Sequence, residues 1–222
     1  MEHNSQRSIL PIVLTWPKRV SSRLCHAWRS FLPCIVLPCA LLAVPALAPS
    51  RAAAATVANT AHFELASPTV QNGAIIPWAS VGNRNDCQGG NQSPPLVWNH
   101  PPAGTGSYAV SMADLDAKVG ITWLWLMFDV PAQVTTLAQN AAGDAAQRPA
   151  GAIQARNDFD GISYTGPCPH QGKLAHHYLI TVWALKDASL PFKEGVPAEK
   201  VAIFLRRYAL GHASLTPHYG GR

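Results

Sequence analysis

The sequence predicts an all-β domain, a β-sandwich with one or two peripheral helices. From residue 57 onward, short segments rich in aromatic and β-branched residues are separated by Gly, Pro and Asn. Three of these segments are long and almost continuously apolar, which is typical of strands buried on both faces. Helical periodicity occurs once, near the carboxyl end. Many short strands followed by one late helix indicate two packed sheets.

The first 55 residues are interpreted as a targeting segment, and residues 56–222 as a single domain. A polar, basic stretch leads into the apolar run 31–48, and a tract of small residues follows. This order is typical of a secretory signal peptide, so we expect cleavage between Ala46 and Thr56 and a periplasmic or secreted protein. Because the apolar run approaches the length that spans a bilayer, a membrane anchor is the alternative.

The positive charge of the chain belongs to the targeting segment. The formal net charge is +5, but six of the 17 Lys and Arg residues and only one of the 12 acidic residues lie at or before Arg51. The remaining chain therefore carries 11 basic and 11 acidic residues. A neutral domain gives no reason to expect a nucleic-acid partner, which needs a basic surface.

Six segments of the domain are predicted strands. They are 63–65, 74–77, 96–98, 108–112, 122–130 and 179–185. A helix is predicted at 198–210, opened by Pro197. Four side chains form its apolar face: Val201, Phe204, Leu205 and Tyr208. The small-residue segment 138–152 is predicted to be a surface loop. Tryptophans are expected in the core or in a pocket wall: Trp98, Trp123 or Trp125, and Trp183.

Two cysteines, Cys87 and Cys168, remain in the predicted domain. An even pair in an oxidising compartment suggests one disulfide. That bond would join the central loop of the domain to an earlier loop. Two buried free thiols are the alternative.

The loop from Tyr164 to the last long strand carries the most distinctive chemistry. Gly166 allows backbone angles closed to other residues, and Pro167 fixes its own φ, so the loop begins as a rigid turn. His176 and Tyr178 then open the strand. Polar groups at the mouth of a strand, preceded by a stiff loop, predict a small pocket. A Pro-rich loop with surface histidines is the alternative.

Two further segments are expected to join this pocket. Asp114 and Asp116 end a long strand, and the stretch 157–159 (NDF) precedes the central loop. An Asp beside a His keeps the imidazole charged or oriented, and a Tyr adds a hydroxyl donor. Together with backbone N–H groups of the loops, these side chains predict a site for an anion such as a phosphate head group.

The order and spacing of these motifs resemble the phosphatidylethanolamine-binding proteins, and among them the bacterial Raf kinase inhibitor-like proteins of the YbhB/YbcL type. The resemblance spans roughly residues 63–208. The matching stretches are 91–98 (NQSPPLVW), 114–117 (DLDA), 125–132 (WLMFDVPA), 157–159 (NDF), 166–169 (GPCP) and 176–178 (HHY). The resemblance implies an antiparallel Greek-key β-sandwich with a small surface pocket for anions.

The resemblance also implies which residues bind the ligand. The expected set is Asp114, Asp116, Trp125, Gly166, Pro167, His176 and Tyr178. Asp114 would accept a hydrogen bond from His176 or from a ligand ammonium, while His176 and Tyr178 would donate to an anion. A protein partner, such as an inhibited kinase or protease, is implied by the resemblance alone, and a homodimer is also open.

Four positions depart from the family pattern. Leu124 stands where the family has a second pocket histidine, so we expect weaker phosphate binding. Leu115 and Lys118 replace prolines of the turn after Asp114, and His177 replaces an arginine.

Three functions follow from these residues. The leading one is an exported, non-catalytic binding protein for small anionic or phospholipid head-group ligands, with no cofactor. The second is a hydrolase with His176, Asp114 and Asp158 as acid–base groups, although the sequence has neither a Gly-x-Ser-x-Gly elbow nor a P-loop. The third is a metal site. Its candidate ligands are His170, His176, His177, His212 and His218. Adjacent residues of a strand point to opposite faces, which argues against that site.

Overall fold

A computed structural model of the chain describes residues 61–170 and 174–221. The predicted signal segment, its cleavage site and the domain boundary at residue 56 lie outside the described residues, as does the alternative anchor at 31–48. Within the described part, no helix has the length and apolar character needed to cross a bilayer.

The described residues form two antiparallel sheets and one α-helix. The strands in chain order are β1 (Glu64–Ala66), β2 (Leu96–Asn99), β3 (Ser107–Asp114), β4 (Thr122–Pro131), β5 (Thr136–Leu137), β6 (Ile153–Gln154), β7 (His176–Leu185), β8 (Gly211–Leu215) and β9 (His218–Tyr219). The helix α1 spans Ala198–Tyr208, and a short 3₁₀ turn spans Trp78–Ser80. The smaller sheet has the order β1-β2-β5; the larger has the order β6-β4-β3-β7-β8, with β9 paired to the start of β7. The prediction of an antiparallel β-sandwich is confirmed.

The central strands are apolar on both faces because both faces of the larger sheet are covered. One face shares a core with the smaller sheet, and Trp98, Tyr108 and Met112 are fully buried there. The opposite face packs on α1 through side chains such as Phe128 and Leu205. Every residue of β3 is buried, which explains why no polar alternation marks this strand in the sequence.

The helix begins as predicted but ends earlier. Val201 and Leu205 are buried against the larger sheet, whereas Tyr208 is 55% exposed and stacks on Phe204 instead. The chain leaves the helix because Leu210 already donates its backbone N–H to the carbonyl of Ala184, which starts the pairing of β8 with β7. The predicted helix end at Leu210 is therefore wrong, while Tyr208 shares the face of Phe204 without being buried.

The predicted strand at 74–77 is also wrong. Ile75 forms a single isolated bridge with His218, and the 3₁₀ turn begins three residues later. Pro77 has no N–H to donate, so a ladder cannot continue through it. The segment therefore pairs with the edge of the sheet at one bridge and does not form a strand.

The predicted surface loop 138–152 contributes to the core. Ala141 and Ala142 are buried, and the carbonyl of Ala142 accepts a hydrogen bond from the side chain of Gln154. Small side chains allow the loop to approach the sheet this closely. The tryptophans lie in or against the core as predicted: Trp98, Trp123 and Trp125 are buried and Trp183 is half-buried.

Candidate functional site

The pairing of β3 with β7 brings Asp114, His176 and Tyr178 together. Asp114 lies directly opposite Tyr178 in the antiparallel register. His176 precedes Tyr178 by two residues and therefore shares its face of the strand, with ring centroids 6.4 Å apart. Nδ1 of His176 lies 2.8 Å from Oδ2 of Asp114, although 62 residues separate them in the chain.

The carboxylate of Asp114 orients the imidazole of His176. Its Oδ1 accepts the backbone N–H of Asp116 at 2.9 Å, and its Oδ2 faces Nδ1 of the ring. An ionised carboxylate only accepts hydrogen bonds, so Nδ1 carries the proton and Nε2 is the nitrogen left for a ligand. The side chains of His176 and Asp114 are 20% and 12% exposed, which leaves the imidazole accessible from the pocket.

The hydroxyl of Tyr178 is a buried donor without an acceptor. The residue is 1% exposed, and Oη has no hydrogen-bond partner among the described residues. Burial raises the pKa of this hydroxyl far above its ordinary value, and the carboxylate of Asp114 raises it further, with Arg84 acting in the opposite direction. Tyr178 is therefore a neutral donor over the whole physiological range.

Arg84 places a cation beside these groups, and sequence analysis missed it. Its guanidinium stacks on the ring of Phe159, with Cζ 3.3 Å from the ring centroid, and its Nε has no partner among the described residues. Burial lowers the pKa of Arg84 from its ordinary value, but a guanidinium in a protein stays charged. No pattern in the Asn- and Gly-rich loop around Arg84 distinguishes it from a solvent-exposed arginine.

These groups line one cavity of about 600 Å³, here termed the central pocket. Its lining residues are Arg84, Asn85, Asp114, Ala117, Lys118, Val119, Ile121, Thr122, Leu124, Asp158, Phe159, Cys168, Pro169, His170, His176 and Tyr178. Both carboxylates in the lining already accept hydrogen bonds; Oδ2 of Asp158 accepts the backbone N–H of Trp123 at 2.7 Å. The polar groups left over are mainly donors, so the pocket suits a group that offers acceptor oxygens.

The turn at Gly166 and Pro167 supports the pocket wall through hydrogen bonds on the side away from the pocket. The N–H of Gly166 donates to Oδ1 of Asn91 at 2.8 Å, and the carbonyl of Pro167 accepts the N–H of Gly82 at 2.9 Å. A Cβ at position 166 would lie 2.5 Å from the nitrogen of Gly82, so only glycine permits this approach. Neither turn residue lines the pocket, where Cys168 and the two residues after it form the surface.

A disulfide between Cys87 and Cys168 joins this wall to the loop that carries Arg84. The backbone N–H of Cys87 also donates to the carbonyl of Arg84 at 3.0 Å. The disulfide therefore lies one short turn away from the guanidinium. It joins positions 81 residues apart in sequence, which is how a loop near residue 85 comes to line a pocket at the start of β7.

An irregularity in β4 directs Leu124 toward the pocket. Met112 pairs with Trp125 and Ala113 with Trp123, so Leu124 is the extra residue of a β-bulge. The side chain of Leu124 lines the pocket and is 2% exposed. Trp125, next along the strand, turns into the core.

A family model described as Phosphatidylethanolamine-binding protein matches residues 66–220. The chain belongs to the phosphatidylethanolamine-binding protein family. It is 37% identical to the UPF0098 protein YbcL of Escherichia coli over 73% of this chain and 90% of YbcL. A crystal structure of YbcL, described as a new member of the mammalian PEBP family, matches with a TM-score of 0.70 and covers 73% of this chain and all of that one. The chain is also 33% identical to a Mycobacterium tuberculosis protein named as a lipoprotein, LppC, over 71% of this chain and 72% of LppC.

Four residues expected to bind ligand lie outside the lining of the central pocket: Gly166 and Pro167 in the turn behind its wall, and Trp125 and Asp116. Trp125 is fully buried, and its Nε1 donates to Oε1 of Gln154 at 2.9 Å, so its side chain lies in the core and not at the pocket surface. Asp116 is exposed on the outer side, where its Oδ2 faces Nδ1 of His177 at 2.8 Å and accepts the backbone N–H of His177 at 2.7 Å. Both hydrogen bonds lower the pKa of Asp116, and the bond from the backbone N–H of His177 has the larger effect.

Adjacent histidines of β7 have separate partners. His176 pairs with Asp114 in the pocket, while His177 pairs with Asp116 outside it. Within the described part of the chain, no three His, Cys, Asp or Glu side chains are grouped so that they could hold one metal ion. Asn157 supports the pocket indirectly, because its Oδ1 accepts the N–H groups of Phe159 and Gly161.

Proposed function

We propose that this protein is an exported, non-catalytic binding protein that takes a phosphate or a phospholipid head group in the central pocket. The hydroxyl of Tyr178 carries the proposal, since it is buried at the pocket wall without an acceptor among the described residues. Leaving such a group unsatisfied costs about 1–3 kcal/mol. An anionic oxygen of the ligand would satisfy this hydroxyl. When the imidazole of His176 is charged, its Nε2 would donate a second hydrogen bond to the ligand, because Nε2 of the neutral ring only accepts.

The lining of the pocket favours binding over hydrolysis. A hydrolase built on His176, Asp114 and Asp158 needs a nucleophile or an activated water near Nε2. Among the described lining residues, Cys168 is part of the disulfide, and the hydroxyl of Thr122 is directed to the carbonyl of Gly120 at 3.3 Å. Asp158 is held by the backbone of β4 and is therefore an unsuitable general base.

Two observations support an exported location. A disulfide is stable in oxidising compartments such as the periplasm or the cell exterior, and one relative is named as a lipoprotein. Both agree with the basic and apolar pattern at the start of the sequence. A kinase or protease partner remains a prediction from the family resemblance, and a homodimer remains a separate prediction.

Calorimetric titration of the purified, processed protein with inorganic phosphate and with phosphoethanolamine tests the proposal. His176→Ala should weaken binding of both ligands by about tenfold or more, because a hydrogen bond to a charged group is worth about 1.5–3 kcal/mol. His177→Ala is the matched control, since His177 also faces an aspartate at 2.8 Å but on the outer side. Absence of binding by the wild type, or equal effects of the two substitutions, would contradict the proposal.

A further inference from the structure

Arg84 is a cation in the central pocket without a carboxylate partner. None of the ion pairs in the described part of the chain includes it. The two carboxylates that line the pocket have other partners: Asp114 binds His176, and Asp158 accepts a backbone N–H of β4. Arg84 is half-buried, and its Nε is buried without a hydrogen-bond partner among the described residues; removing part of a cation from water without pairing it is costly. The unpaired guanidinium therefore points to an anion that comes from outside the chain.

The guanidinium is held in place before any ligand binds. Its Cζ lies over the ring of Phe159, and Oδ1 of Asn157 holds the backbone of Phe159 by accepting its N–H. The disulfide and the turn from Arg84 to Cys87 hold the backbone on the other side. A side chain that is already oriented loses little conformational entropy on binding, which favours affinity.

We propose that Arg84 is the residue that selects the ligand, and that the Cys87–Cys168 disulfide positions it over the pocket. This inference rests on the proposed function and narrows its ligand class to oxyanions such as phosphate and phosphate esters, recognised by at least two oxygen atoms. A guanidinium presents a planar fork of donors that matches such groups, which a single imidazole cannot do. Both oxygens of Asp114 and one oxygen of Asp158 already accept hydrogen bonds within the protein, so the ammonium of phosphoethanolamine should add little to the affinity.

The charge of Arg84 gives the proposal a distinctive pH signature. The other titratable groups that face it across the pocket are Asp114, Lys118, Asp158, His170, His176 and Tyr178. Of these types only imidazoles lose their charge between about pH 5 and 8, whereas the guanidinium remains charged. The wild-type protein should therefore still bind phosphate at pH 9.

Titration of phosphate into wild type, Arg84→Gln and Arg84→Lys at pH 6 and pH 9 tests the proposal. Arg84→Gln should weaken binding about 10- to 150-fold at pH 6, as expected for losing hydrogen bonds to a charged group, and by a larger factor at pH 9. The phosphate affinity of Arg84→Lys should lie between those of wild type and Arg84→Gln. Arg148→Gln removes a cation paired with Glu194 outside the pocket and should match wild type. Phosphate and phosphoethanolamine should bind wild type within about threefold of each other.

The role of the disulfide is tested by coupling. Cys87→Ser with Cys168→Ser should weaken phosphate binding more in the wild-type background than in the Arg84→Gln background, because the bond positions Arg84. Equal weakening in both backgrounds would overturn the positioning role. If these variants fail to fold, the wild-type titration alone decides, since complete loss of binding between pH 6 and pH 9 would overturn the role of Arg84.

The failure of this inference is distinguishable from failure of the proposed function. If Arg84→Gln binds phosphate as wild type does while His176→Ala does not, the pocket is an anion site and Arg84 is not its selecting residue. If wild type binds neither phosphate nor phosphoethanolamine at either pH, both proposals are wrong.

Discussion

Removing the hydroxyl of Tyr178 should stabilise the ligand-free protein and impair its function. Oη is buried and has no acceptor among the described residues, so wild type bears a desolvation cost of about 1–3 kcal/mol at this atom. Tyr178→Phe removes that cost and leaves the ring packed against His176. We expect the free energy of unfolding without phosphate to rise, by up to about 3 kcal/mol. The affinity for phosphate should fall about tenfold or more, because one donor to an anion is lost.

Tyr164→Phe is the matched control for this experiment. Tyr164 is also a buried tyrosine with a raised pKa, but its hydroxyl donates to the carbonyl of Ser80 at 2.7 Å. Its removal leaves a buried carbonyl unpaired and should lower the free energy of unfolding by about 1–3 kcal/mol. Phosphate binding should change little, because Tyr164 does not line the central pocket.

The assay combines urea unfolding in phosphate-free buffer with calorimetric titration of phosphate. Phosphate must be absent from the stability measurement, because a ligand that binds only the folded state stabilises wild type by mass action. The reasoning predicts stability changes of opposite sign for the two tyrosines. It would be refuted if Tyr178→Phe destabilised the protein as much as Tyr164→Phe does and bound phosphate as wild type does.

Three further predictions concern the pocket, the disulfide and a half-buried carboxyl group. Leu124→His should tighten phosphate binding about tenfold at pH 6 and less at pH 8, since a charged imidazole adds a donor at the bulge; unchanged calorimetric affinity at both pH values would contradict this. The Cys87–Cys168 bond closes a loop of 81 residues, so its reduction should lower the free energy of unfolding, measured by urea denaturation, by about 4.5 kcal/mol. An assay that finds two free thiols in unreduced, denatured protein would contradict the bond itself. Burial raises the pKa of Asp129 above its ordinary value, despite the N–H that Leu190 donates to it, so its ionisation costs stability as the pH rises above about 3.8. Asn at position 129 keeps an oxygen acceptor and tolerates the backbone φ of 58°. The Asp129→Asn variant should therefore be more thermally stable than wild type at pH 7 but not at pH 3. An equal gain in stability at both pH values would argue against ionisation as the cause.

The sandwich was predictable because its determinants are local. The long apolar runs at β3, β4 and β7 and the periodicity of α1 are written in consecutive residues. The strand predicted at 74–77 was wrong because a short apolar run does not reveal how many residues of another strand it can pair with. In the structure this segment forms one isolated bridge, between Ile75 and His218. Likewise, strict alternation along β4 cannot be assumed where a bulge inserts Leu124 and sends Trp125 into the core.

The site was only partly predictable, for a different reason. Asp114, His176 and Tyr178 could be grouped because they belong to motifs whose order resembles a family. Arg84 belongs to no motif, and it reaches the pocket through a disulfide and a stacking contact with Phe159. Such long-range contacts leave no periodic signal in the sequence, so the cation that completes the site becomes visible only in the folded structure.

A crystal structure of the processed protein, grown without phosphate or sulfate and then soaked in phosphate, tests the central claim most directly. We predict one tetrahedral anion in the central pocket, with oxygens about 2.7–3.2 Å from Oη of Tyr178 and Nε2 of His176 and in contact with the guanidinium of Arg84. A pocket that holds no anion at a phosphate concentration that saturates calorimetric binding would contradict the account, as would an anion bound elsewhere on the protein.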